Sequence, residues 1–145
     1  DASGLAATRA TFEDPSAHVI LPEIISKEPL GPLVRHGDNQ WGDVVRWVLN
    51  GLIIAEEKGI TKDNVMDLAS AAGDDPEINR MLGTEGEYGA MLGLPNDFLV
   101  KAIAVNGNYG EIFDAYIGEA TPIGLARGLN ASYRDGGILY APPFR

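Results

Sequence analysis

The stretch from Ser26 to Trp41, SKEPLGPLVRHGDNQW, sets the strongest limit on what this chain can become. Pro29 and Pro32 each fix their own φ and push the residues before them, Glu28 and Gly31, away from helical geometry, so no helix can cross here. Proline also lacks the N–H that a sheet ladder needs, which leaves an edge strand or a single crossing ribbon. Directly afterwards the pattern turns helical. From Asp38 or Asn39 onward, Trp41, Val44, Val45, Val48, Leu52 and Ala55 recur at i, i+3, i+4 spacing. A stiff segment that delivers the chain onto a helix has the form of a connection between two bodies.

That helix, predicted over 39–58, carries Trp47 and Ile54 on a second face, so it is expected to be packed on two sides as a central element and to stop at Lys58-Gly59. Thr61-Lys62-Asp63-Asn64 predicts the cap of a helix reaching Ala71, with Val65, Leu68 and Ala69 inward. Asp74-Asp75-Pro76-Glu77 opens a short helix through Leu82, with Pro76 at the first position. Glycines at 83, 86, 89 and 93 argue for short turns, after which Asn96-Asp97 caps a helix over 98–106. Asn108-Tyr109-Gly110-Glu111 leads into one more, ending at Ile117-Gly118. Upstream, Asp1 or Ser3 can cap a short helix, and His18-Val19-Ile20-Leu21 before Pro22 reads as a short strand. Residues 119–145 are rich in Gly and Pro. They also hold Ile123, Leu125, Leu129, Tyr133, Ile138, Leu139, Tyr140 and Phe144, and such a tail is expected to be strapped onto the body.

A net charge of -10 repels phosphate backbones, which argues against nucleic acid as a partner. The absence of cysteine removes disulfides, thiolate metal sites and cysteine nucleophiles together. The most apolar run, residues 47–55, contains Asn50 and Gly51 and is bounded by Arg46 and Glu56, far short of the ~20 residues a membrane span needs. His18 and His36 stand at no metal-ligand spacing, so no metal is expected. Glu85-Gly86-Glu87 is the nearest thing to an acid/base pair, and a solvated loop explains it as well. Without a nucleophile, a glycine-rich phosphate loop or a metal constellation, the chain does not read as an enzyme. Asp1 has two readings: a helix cap, or a carboxylate that faces a cleft and holds a ligand ammonium.

Ile20-Leu21-Pro22-Glu23-Ile24-Ile25, followed by SKEPLGPLVRHGDNQW and the helix DVVRW, resembles the carboxy-terminal part of the periplasmic solute-binding proteins of amino-acid ABC transporters, a type II periplasmic binding protein family. The likeness continues through LGTEG at 82–86, NGNYGEIF at 106–113 and the closing GGILYAPPFR at 136–145. It covers essentially the whole chain, and the connector and closing motif point to the general L-amino-acid branch.

The resemblance implies a piece of an α/β two-lobed protein, itself mainly α with two or three short strands. Residues 1–25 would end the second, ligand-closing lobe, and 26–37 would form the hinge crossover, with Lys27, Glu28 and Pro29 at its border. Residues 38–118 would be the helical carboxy-terminal part of the first lobe, and 119–145 a tail packed on that lobe. It also implies periplasmic binding of an L-amino acid, delivery to an ABC permease, and no cofactor. Asp1, just ahead of Ser3-Gly4-Leu5, matches the family aspartate that pairs with the ligand's α-ammonium. Family members are more than twice this length, so the chain is expected to be incomplete, and its opening on Asp1 without Met agrees. The competing expectation is a self-standing helical module that binds a protein partner or its own copy. On either reading, unpaired strand edges and apolar patches are expected to favour a homodimer of this piece.

Overall fold

The computed structural model describes residues 2–26 and 29–145. Two compact units make up the chain: residues 1–32 with 113–127, and residues 33–112 with 128–145. The backbone therefore passes between them three times, at 32/33, 112/113 and 127/128.

In the first unit, helix α1 (Ala2–Ala10) buries only Ala6. The chain leaves it through turns in which Thr11 N–H donates to Thr8 O at 3.0 Å and Phe12 N–H to Arg9 O at 3.1 Å. Asp14 then caps a single 3₁₀ turn, Pro15–Ala17, by accepting from Ser16 N at 3.1 Å and Ser16 Oγ at 2.6 Å. The same unit contains the segment after residue 112, where Leu125 N–H returns to Ile117 O at 3.0 Å and the Arg127 guanidinium lies 5.1 Å from the Phe113 ring centre.

The second unit starts with α2 (Asn39–Glu57), whose N-cap Asp38 accepts from Trp41 N at 3.2 Å. It ends as the glycine predicted. Gly59 sits at φ +68°, Gly59 N–H donates to Glu56 O and Ile60 N–H to Ala55 O at 2.8 Å, a Schellman closure that seats Ile60 in the core. Helices α3 (Val65–Leu68), α4 (Pro76–Leu82) and α5 (Tyr88–Met91) are short, and α6 (Phe98–Asn106) and α7 (Tyr109–Tyr116) come after them. Asn108 and Glu111 form a reciprocal cap on α7: Asn108 N–H donates to Glu111 Oε2 at 2.8 Å and Glu111 N–H to Asn108 Oδ1 at 3.0 Å.

The core gathers around α6, against which α2, α3 and α4 all pack. Its sequence FLVKAIAVN is apolar nearly all round, which suits a helix enclosed on several sides. Ile54, Ile60, Val65, Met81, Leu99 and Ile103 are fully buried, each contributing about 1.5–3 kcal/mol. Helix α2 is only half a central element, because its buried residues lie between Gly51 and Ala55 while Trp41 remains exposed. Gly51 allows a close approach there, since a Cβ would overlap the Leu99 methyl carbons unless that side chain moved.

Three expectations need correction. Among the described residues there is no strand, only an isolated parallel bridge between Ser132 and Leu139. Residues 18–21 and 30–34 have the composition of strands but no ladder partner, and a strand exists only as a pair. Helix α3 stops after one turn with Leu68 exposed, while Ala69 takes the inward position four residues after Val65. The tail is more than a surface strap: Ala141 and Phe144 belong to the core itself. No helix among the described residues is long and apolar enough to cross a membrane.

Candidate functional site

Three of the four residues singled out for the site, Asp1, Lys27 and Glu28, lie outside the described residues. Pro29 is exposed and belongs to neither helix nor strand. The helix just after Asp1 borders a cavity. Leu5, Thr8, Arg9 and Phe12 of α1 and its exit face His18, Val19 and Ile20 across an open depression of about 210 Å³. The loop that presents this second wall is fixed locally. The Phe12 and His18 rings lie 4.6 Å apart, His18 Nδ1 is 3.0 Å from Asp14 O, and the Ser16 hydroxyl holds the Asp14 carboxyl below its ordinary pKa. Arg9 supplies the depression's one permanent charge.

Around the proline segment the chemistry is apolar and exposed. Val19, Leu21, Ile24, Ile25 and Leu30 in the first unit turn largely to solvent, with Ile25 96% exposed. In the second unit Leu33 is 99% exposed, the most open large apolar residue among those described. A second depression of about 520 Å³ lies at the head of α2, where Arg35, His36 and Arg46 stand beside Asp38 and Asp43. Its charges compensate locally, since Arg46 pairs with Asp43 at 3.4 Å and Asp38 is engaged as the helix cap.

The most organised polar chemistry lies between α2 and α4. Lys58 Nζ donates to Asp75 Oδ2 at 2.8 Å and pairs with Glu77 Oε2 at 2.9 Å. The two carboxylates raise the Lys58 pKa, and Lys58 lowers that of Asp75. At Glu77 burial pushes the pKa upward, but the hydrogen bonds from Lys58 and the Phe144 amide outweigh it and the net shift is downward. Glu57 shifts the other way because burial dominates. Asn79 grips the preceding loop, its Nδ2 donating to Gly73 O and its Oδ1 accepting from Gly73 N, both at 2.8 Å. These groups are paired and structural. Glu85 sits 3.9 Å from Arg80, Glu87 makes no side-chain cap, and no described residues group as a metal site.

Sequence reasoning missed Glu77, Arg80 and Trp47 as the receivers of the tail. Glu77 and Arg80 one helical turn apart hint at a shared face, but nothing local connects them to Phe144, 64 positions beyond Arg80.

No family model matches the chain. Curated relatives do match over all of it. It is 61% identical to the glutamate/glutamine/aspartate/asparagine-binding protein BztA of Rhodobacter capsulatus, across 43% of that protein. It is 52% identical to the general L-amino acid-binding periplasmic protein AapJ of Rhizobium johnstonii and 45% identical to the putative amino-acid ABC transporter-binding protein YhdW of Escherichia coli, across 42% of each. The chain thus spans less than half the length of the curated relatives it matches. Among solved structures, an ABC transporter periplasmic binding protein from Brucella ovis with glutathione bound superposes with a TM-score of 0.91 at 50% identity, covering 99% of this chain and 44% of that one.

Proposed function

We propose, from the premise that this chain is homologous along its whole length to amino-acid-binding periplasmic proteins of ABC transporters, that the protein carrying it binds an L-amino acid in the periplasm and hands it to an ABC permease. The carrying observation is the identity to the Rhodobacter capsulatus protein, sustained over every residue of the chain. It favours transport over a self-standing association module. On this reading lobe closure is the working motion and no bond is made or broken. The Asp1 carboxylate pairs with the ligand ammonium, and Lys27, Glu28 and Pro29 border the hinge. The passage from one compact unit to the other at 32/33, three residues after Pro29, supports the hinge. The first ligands to expect are those in the relative's name: glutamate, glutamine, aspartate and asparagine.

A second reading comes from the glutathione in the Brucella ovis protein. Glutathione's γ-glutamyl residue presents a free α-ammonium and α-carboxylate, the same head group as L-glutamate, so a cleft open beyond the side chain takes both. Calorimetric titration of the full-length protein tests the two together. One-to-one binding of L-glutamate with exclusion of glutathione selects the first, and comparable binding of both selects the second. Failure of all four amino acids and glutathione overturns the proposal. Asp1→Ala is expected to cost at least thirtyfold in affinity with an unchanged melting temperature; unaltered affinity would remove Asp1 from the site.

A further inference from the structure

The seat of the closing motif is among the most specific contacts in the second unit. The Phe144 ring is 3% exposed and lies 5.3 Å from Trp47, edge-on at 76°, and 5.4 Å from Tyr88. Both backbone groups of the same residue are held by α4 side chains: Phe144 N–H donates to Glu77 Oε1 at 2.8 Å, and Arg80 Nε donates to Phe144 O at 3.0 Å. Ala141 N–H reaches Glu57 Oε1 at 3.4 Å.

The main chain of the tail changes partners at this point. Up to Leu139 its backbone is tied to its own preceding turns, Leu139 N–H donating to Ala131 O at 3.1 Å and Tyr133 N–H to Leu139 O at 3.0 Å, while the Asn130 amide bonds the Tyr109 hydroxyl and the Leu139 side chain packs on the core. Tyr140 stays on that side, its ring 5.5 Å from Tyr133. Beyond it, the main-chain hydrogen bonds of Ala141 and Phe144 run to side chains of the body, while Pro142, Pro143 and Arg145 are exposed. An extended, proline-stiffened segment placing an aromatic ring against aromatic residues, with its main chain read by a carboxylate and a guanidinium, is bound as a peptide ligand is bound. The prolines limit the entropy lost on seating.

We infer that Trp47, Glu57, Glu77, Arg80 and Tyr88 form a recognition socket for an extended Ala-Pro-Pro-Phe-Arg peptide, and that residues 141–145 occupy it as a ligand in cis, able to leave and return without unfolding the body. A separate copy of the same peptide fits the vacated socket.

The test uses the full-length protein with Phe144→Ala, which empties the ring's seat, and a fluorescein-labelled synthetic peptide Tyr-Ala-Pro-Pro-Phe-Arg followed by anisotropy. The peptide is expected to bind the variant at least tenfold tighter than the unaltered protein, whose seat is filled, and a peptide with alanine for phenylalanine is expected to bind neither. No binding to a folded variant, or equal binding to both proteins, overturns the inference. Should the variant fail to fold, amide exchange on the unaltered protein decides. Ala141 and Phe144 are expected to exchange at least tenfold faster than Ile60 and Ile103, and exchange at one common rate would make the segment an inseparable part of the core.

Discussion

The second unit and the first unit solve the burial of apolar side chains in opposite ways. Around α6 the second unit encloses Leu99, Ile103, Ile54 and Met81 and satisfies its buried polar groups, with no buried side-chain nitrogen or oxygen left unpartnered among the described residues. The first unit buries Ala6 and Phe113 and leaves Val19, Leu21, Ile24, Ile25 and Leu30 largely in solvent. Apolar side chains spaced along a segment that makes no ladder have the composition of a covered surface and the exposure of a free one. The second unit therefore has an enclosed core, although Leu33, Met91 and Ile138 on it stay exposed, and the first unit leaves a run of apolar side chains open around the proline segment.

The sharpest test of that difference is a cavity. Leu99→Ala removes methyl groups that α2 approaches so closely at Gly51 that a Cβ there would overlap them. A loss of about 3–5 kcal/mol is expected in urea unfolding, because the helices around α6 cannot collapse into the space. Ile25→Ala in the 145-residue chain is expected to cost less than about 0.5 kcal/mol, as for an exposed site. Equal losses would abolish the contrast between the units.

Next in size is the effect of context. In the full-length protein, Ile25→Ser with Leu33→Ser is expected to destabilise by about 2–4 kcal/mol, the cost of losing apolar burial if a longer protein covers these side chains. In the isolated chain the same pair is expected to leave stability unchanged and to convert a self-associating species into a monomer by sedimentation. A monomeric parent chain would count against pairing of copies through the apolar row, and an unaffected full-length protein would mean that the row faces solvent there too.

The elements written locally were legible in the sequence. Asp38 ahead of a periodic run, Pro76 after two aspartates, Asn108 three residues before Glu111 and Gly59 after Lys58 each start or stop a helix by chemistry within one turn, and each does so here. The illegible parts depend on distant partners. Residues 18–21 carry strand composition, but composition cannot supply the ladder. The hub of the core fell to α6 rather than α2, because a nine-residue helix with few polar positions can be surrounded, a fact set by its neighbours. The Phe144 seat joins positions 64 and more apart. Of the candidate site only Pro29, expected at the hinge, could be placed, exposed and outside any helix.

A smaller effect tests how the second unit is tied together. Glu111 accepts from Asn108 N at 2.8 Å and from Lys62 N at 3.1 Å, joining the start of α7 to the loop before α3. Glu111→Ala is expected to cost about 1–2 kcal/mol, the range of a lost helix cap. Glu111→Gln, which keeps an acceptor but no charge, is expected to recover about half. If alanine and glutamine behave alike, the charge carries the effect and the cap geometry does not.

The smallest expected effect is the pH dependence of the Lys58 cluster, and its sign comes from the shifts. Asp75 and Glu77 are lowered in the folded state, so their contribution is complete above the unfolded carboxylate range near pH 4 and is lost as pH falls through the folded values. Lys58 is raised, so its contribution is complete below about pH 10.4, the ordinary lysine value, and is lost as pH rises through the folded one. Glu57 runs opposite to its neighbours: raised by burial, it costs stability once pH climbs past its unfolded value, which tilts the plateau downward from the acid side. Lys58→Met should therefore lower urea stability by about 1 kcal/mol at neutral pH, since the pair is partly solvated, and flatten both flanks of the profile. Glu57→Gln should remove only the tilt. A profile in which Lys58→Met keeps both flanks would move the titrating groups away from the α2–α4 contact.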